Sequence, residues 1–144
     1  MIDYAKALKQ GFDAARQATA ARNEIVQVFK DLNDQVNRAT GDKVAIRLRD
    51  PERRQELDGS GHWTGGEQYK VIAAFNPTVD PKTDVKLATL AMDKAGYPCN
   101  VKWGNQEHIC EDGEALALCL SDLLSDPLVG QKIQTLMEPK KKDG

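Results

Sequence analysis

The chain has 144 residues, 40% hydrophobic and 29% charged, enough to bury a moderate core in one domain without disulfide or metal staples. Lys and Arg number 20 against 22 Asp and Glu, and the net charge of −2 supplies no global attraction to nucleic acid or to an anionic membrane. No apolar run approaches the ~18 residues of a bilayer span, and the opening stretch MIDYAKALKQ lacks the apolar centre of a secretory signal.

Residues 1–39 hold no proline and one glycine, Gly11. Ala5, Leu8, Phe12 and Ala15 recur at steps of three and four, and Ile25, Val28, Phe29, Leu32 and Val36 resume the stripe, the spacing of an amphipathic helix. A continuous helix over residues 2–38 would be about 55 Å long, whereas a domain of this length is only about 40 Å across. Such a helix bends back, protrudes or finds a partner. The two stripes do not share one heptad register: Thr19 and Arg22 fall where a coiled coil wants apolar knobs. Residues 19–23 therefore read as a kink, or as a boundary capped by Asn23, against the alternative of one unbroken helix. Residues 25–36 are expected to pack on the domain's own sheet, leaving 5–15 to seek a partner.

Thr40-Gly41-Asp42 stops the helix. Residues 43–49 alternate, with Val44, Ile46 and Leu48 on one face, as a half-buried strand does. After Asp50-Pro51 comes a connection of about 18 residues, long for a compact domain, with the glycine-rich segment 59–66 around His62 and Trp63. Residues 69–75 form a second strand. Asp80 as N-cap, Pro81 in the first turn and Gly96 as stop predict a helix between them, with Val85, Ala88, Met92 and Ala95 as its stripe. A strand over 87–92 is the competing assignment.

Residues 97–103, a Gly104-Asn105 turn and 106–111 read as a β-hairpin. A two-residue loop pairs Trp103 with Gln106, Val101 with His108 and Cys99 with Cys110. Side-chain alternation then puts Cys99, Val101, Trp103, His108 and Cys110 on one face. A helix follows from Asp112 or Gly113, with Leu116, Cys119, Leu120 and Leu123 buried. Ser125-Asp126-Pro127 starts a last helix carrying Val129, Ile133, Leu136 and Met137. The expected fold is α+β: an antiparallel sheet of four to five strands covered by helices, with a long N-terminal helix, continuous or kinked, in the order α-β-β-α-β-β-α-α. One domain spans 1–144, with a helical arm over 1–39, a body over 40–138 and a flexible tail over 139–144.

Cys99, His108, Cys110 and Cys119 converge if the helix after the hairpin packs on its apolar face, a three-Cys, one-His set that tetrahedral zinc accepts. The spacing lacks C-x₂-C knuckles, and unpaired cysteines commonly serve as small core residues, so buried packing is the favoured reading and a metal site the alternative. Trp63 and His62 on a glycine loop suit either a recognition tip or a tight structural turn. Between Trp103 and Gln131 there is no Lys or Arg, while Glu107, Glu111, Asp112, Glu114, Asp122 and Asp126 are acidic; a solvated face with charges favouring helix N-termini accounts for most of them. Arg47, Arg49, Arg53 and Arg54 are interleaved with acids, which weakens a phosphate-binding reading.

No H-E-x-x-H, G-x-S-x-G or dinucleotide fingerprint is present. Three cysteines, an odd count, suit free thiols in a reducing compartment. The expectation is a cytoplasmic, non-catalytic interaction module of the adaptor, chaperone or inhibitor type, with no cofactor and no membrane contact. Its partner is another protein or a second copy in a homodimer, contacted through Leu8, Phe12, Ala15, His62 and Trp63. The alternatives are a metal-binding regulator or small enzyme built on the Cys/His set, and a weak nucleic-acid-associated protein.

Overall fold

A computed structural model describes residues 1–51 and 69–138. The first element, α1, is a single helix of 36 residues, Tyr4–Ala39, about 54 Å long. Asp3 caps its start by accepting the Lys6 N–H at 3.1 Å. At the far end the Thr40 hydroxyl donates to the Val36 carbonyl and accepts the Val44 N–H, while Gly41 and Asp42 take positive φ of 61° and 67° and turn the chain into the sheet.

The kink expected at residues 19–23 is absent. Alanines at 18, 20 and 21 carry high helix propensity, and their small size has a second use. Gly96, at φ +93°, lies so close that a Cβ there would sit 2.6 Å from the Ala21 Cβ. Beside it the Arg22 guanidinium donates to the Lys94 carbonyl at 2.8 Å. The polar interruption marks where one unbroken helix leaves the body.

Among the described residues the sheet is a five-stranded antiparallel meander in the order β1 (Ala45–Arg49), β2 (Tyr69–Phe75), β3 (Asp84–Asp93), β4 (Gly96–Trp103) and β5 (Gln106–Cys110). The helix expected between Asp80 and Gly96 is corrected to strand β3. Its register slips against β2 between Ile72 and Ala73, so that Ile72 faces Ala88 but Ala73 faces Lys86. This bulge inserts one residue into a period-two pattern, and Val85, Ala88 and Met92 consequently fall at helix-like steps. The cap signal at Asp80 is a real local structure of another kind: its carboxylate accepts the Lys82 N–H at 3.0 Å and the Thr83 hydroxyl at 2.6 Å, closing a turn.

Two further helices follow, α2 (Gly113–Ser125) capped by Asp112 and α3 (Pro127–Met137) capped by Asp126. All three helices pack against the sheet: α1 across β1 and β4, α2 over β4 and β5, and α3 over β3. Ile25 and Phe29 of α1, Leu116, Leu120 and Leu123 of α2, and Val129 of α3 close on Ile46, Ile72, Leu90 and Val101. Buried Asn76 ties β2 to α3 by donating to the Leu136 carbonyl at 2.8 Å. On the opposite face of the sheet the nearly buried Asp84 carboxylate accepts from Arg47 and Arg49 at 2.8–3.0 Å, and Arg47 lies 4.3 Å over the Phe75 ring. The class is α+β, and no helix among the described residues is long and apolar enough to cross a membrane.

Candidate interaction site

At about 100° per residue around the helix, Ile25, Phe29, Leu32 and Val36 share one face of α1. Tyr4, Leu8, Phe12 and Ala15 share another, about 90° round the axis. The first face is docked on the body; the second is not. Every residue from Met1 to Gln17 is exposed, and Ala18 is the first to be half-buried. The arm from Tyr4 to Ala18 is thus about 22 Å of helix carrying apolar side chains in solvent. Tyr4 is 75% exposed, Leu8 57% and Phe12 56%.

Leu8, Phe12 and Ala15 therefore stand together on one exposed face, as the heptad spacing placed them. Tyr4 belongs to the same face and was missed, because a strict heptad put Ala5 there instead. Val26, 63% exposed, also lies in line with Leu8, five turns along, so the apolar face reaches onto the docked half. Lys6, Lys9 and Arg16 outnumber Asp13 on the arm, and Asp13 pairs with Arg16. His62 and Trp63 lie outside the described residues, as do Arg53 and Arg54.

The hairpin has the expected register, Cys99 against Cys110, Val101 against His108 and Trp103 against Gln106. Gly104 takes φ +56°, as the first central residue of a II′-type turn does. Cys99, Cys110 and Cys119 are free and buried. Burial pushes the Cys99 and Cys119 thiols up to about 12 and raises Cys110 as well, so all three are neutral and poor nucleophiles at physiological pH. His108 keeps to the same face but stacks on Trp103, with ring centroids 4.7 Å apart and planes 11° from parallel, and its Nε2 lies 3.2 Å from the Gln106 amide oxygen. Among the described residues no group of three or more His, Cys, Asp or Glu is arranged to hold a metal ion.

Several of the acidic residues have local duties. Asp112 caps α2. Asp126 caps α3 and accepts the Trp103 indole N–H at 3.3 Å. Glu107 meets Asn100 and Lys102, and the Asn100 amide together with the Lys102 ammonium holds its carboxyl below the usual range. A shallow cleft of about 400 Å³ is lined by Leu87, Trp103, Asp126, Leu128 and Lys132, among others. Its polar groups are engaged internally, since Lys132 donates to the Lys86 carbonyl at 3.0 Å. No set of unpartnered polar groups converges there in the manner of an active site. No family model, curated protein or solved structure matches the chain.

Proposed function

We propose that this protein is a small, non-catalytic interaction module of the adaptor, chaperone or inhibitor type, working in the cytoplasm, and that its N-terminal arm is the docking element. One observation carries the proposal: a continuous helix runs well past its own body with Tyr4, Leu8 and Phe12 exposed along one face. Anchors four residues apart are the spacing by which an amphipathic helix lies in a partner's groove. Covering each such side chain contributes roughly 1.5–3 kcal/mol. A helix end of this length is also marginal alone in water, so a partner that covers the face stabilises the arm as well. The partner is another protein or a second copy of the chain.

The test is a photo-cross-linking residue placed at position 12 of the full chain and irradiated in cells. Adducts to a second copy or to another protein, lost when Leu8→Glu is added while the melting temperature holds, support the arm as the docking element. The proposal fails if position 12 gives no more adduct than Asn105 in the exposed hairpin turn.

A further inference from the structure

The two edges of the sheet are finished differently. On β1 the outward Ile46 N–H is taken by the Asn33 side chain of α1 at 2.7 Å. Among the described residues nothing equivalent occurs on β5. A two-residue loop closes on a pair that exchanges both backbone bonds, and such pairs then alternate along the strands. With Trp103 opposite Gln106, the bonded pairs use the backbone of Gln106, His108 and Cys110. The N–H and C=O groups of Glu107 and Ile109 therefore point away from β4. Among the described residues no hydrogen bond reaches them.

The surroundings of that edge are apolar and acidic together. Ile109 is 68% exposed on the sheet face away from the helices, next to Glu107. On the other face stands α2. Its Leu116 and Leu123 face the core, and Ala117, Leu120 and Leu124 face α1. At about 100° per residue the side of α2 turned from α1, beyond β5, carries Ala115 and Asp122, while Leu118 lies about 150° from the core-facing Leu116 and Leu123 and points to solvent. Leu118 is 64% exposed. No Lys or Arg occurs between Trp103 and Gln131, and the nearest base, Lys102, already faces Glu107 across the hairpin.

We propose that the β5 edge is a docking site for an extended basic peptide segment, which adds as a sixth strand. The main chain of Glu107 and Ile109 supplies the ladder, as in other strand-addition complexes. Ile109 receives an apolar side chain, and Glu107 and Asp122 receive lysine or arginine. Charge favours a basic strand over a second copy of β5, which brings no base to Glu107: with Glu107 opposite Ile109 of the copy, its carboxylate is left unmatched. An antiparallel register that sets Ile109 against its own equivalent also sets Glu107 directly opposite Glu111, and like charges in that position destabilise a pair. The site is independent of the arm, so either proposal can fail while the other stands.

The experiment titrates the full chain with an end-blocked peptide of Lys-Lys-Val-Val repeats, which sets lysine and valine by turns along each face of a strand, and follows amide hydrogen exchange. Binding slows exchange at Glu107 and Ile109, while exposed amides in the arm are unchanged. The Glu107→Lys/Asp122→Lys double variant weakens binding at least tenfold. Ile109→Pro, which removes an outward donor at a position where an edge strand tolerates proline, abolishes it. If that variant unfolds, the peptide N-methylated at alternate residues replaces it; loss of binding supports strand addition. Equal binding of the N-methylated peptide, equal binding of a glutamate-valine peptide, or no protection at Glu107 and Ile109 overturns the proposal.

Discussion

Replacing Gly96 by alanine tests whether α1 is one rigid helix pinned where it leaves the body. Gly96 sits at φ +93°, and a Cβ there would come 2.6 Å from the Cβ of Ala21, while the next neighbours, the Arg22 nitrogen and the Ala21 carbonyl carbon, lie at 3.4 and 3.5 Å. A left-handed conformation costs an L-residue roughly 1–2 kcal/mol, and forcing a methyl into a filled contact adds about 1–3 kcal/mol. Gly96→Ala should therefore destabilise by about 2–5 kcal/mol. Ala21→Gly alone should cost about 1 kcal/mol through lost helix propensity. In the double variant the obstructing Cβ is gone and the next neighbours stand at ordinary distances. The steric part of the cost should return, leaving the pair about 1–3 kcal/mol more stable than the sum of the singles. Urea unfolding of the four proteins measures this, provided the slope m is unchanged. Additivity within about 0.5 kcal/mol would refute the close approach of helix and turn.

The Asp84 carboxylate is 8% exposed and holds both Arg47 and Arg49, so Asp84→Ala should cost about 3 kcal/mol by leaving partly buried cations unpaired; thermal melting checks it against Asp13→Ala, whose surface pair should matter by less than about 0.5 kcal/mol, and equal effects would contradict the assignment. For the thiols the sign follows from the shift. Cys99 and Cys119 are raised from 9.0 to about 12 in the folded chain, so the stability they contribute is complete below pH 9 and lost as pH climbs toward 12. The urea midpoint should fall across that window, less steeply in Cys119→Ala, and identical profiles for the two proteins would contradict the burial argument.

The hairpin was legible to the residue because two constraints coincide there: a two-residue Gly-Asn loop fixes register, and apolar alternation fixes which face is buried. Strand β3 was not, because the bulge opposite Ile72 and Ala73 breaks the alternation and yields a helical spacing, while Asp80 and Pro81 make a turn that resembles a helix start. The unbroken α1 was obscured for a different reason. A stripe that changes face looks like a stripe that stops, since sequence shows the period but not the neighbour each face meets. The contact that explains it, Ala21 against Gly96, joins residues 75 positions apart, and no local pattern announces such an approach. That Leu8, Phe12 and Ala15 share one helix face was legible because it needs only helix geometry. Cys110 meets both Cys99 and Cys119, which follows from register once α2 lies over β5, whereas the stacking of His108 on Trp103 depends on rotamers that alternation does not specify.

The arm and the β5 edge carry opposite charge, so electrostatics alone would draw the arm of one molecule to the edge of another. Secondary structure forbids that pairing from being specific. In α1 the backbone N–H and C=O groups beyond the first turn are engaged along the helix, so over Leu8 to Ala15 the arm offers a partner only side chains. The β5 edge asks for main-chain donors and acceptors in extended form. Freeing them would require the arm to melt, at a cost that grows with each residue removed from the helix, and its alanines at 5, 7, 14 and 15 are good helix formers with low strand propensity. Attraction between copies therefore stays at the level of screened surface charge, which falls off within about 8–10 Å at physiological salt. The two proposals therefore call for partners of different kinds, a groove for the arm and an extended strand for the edge.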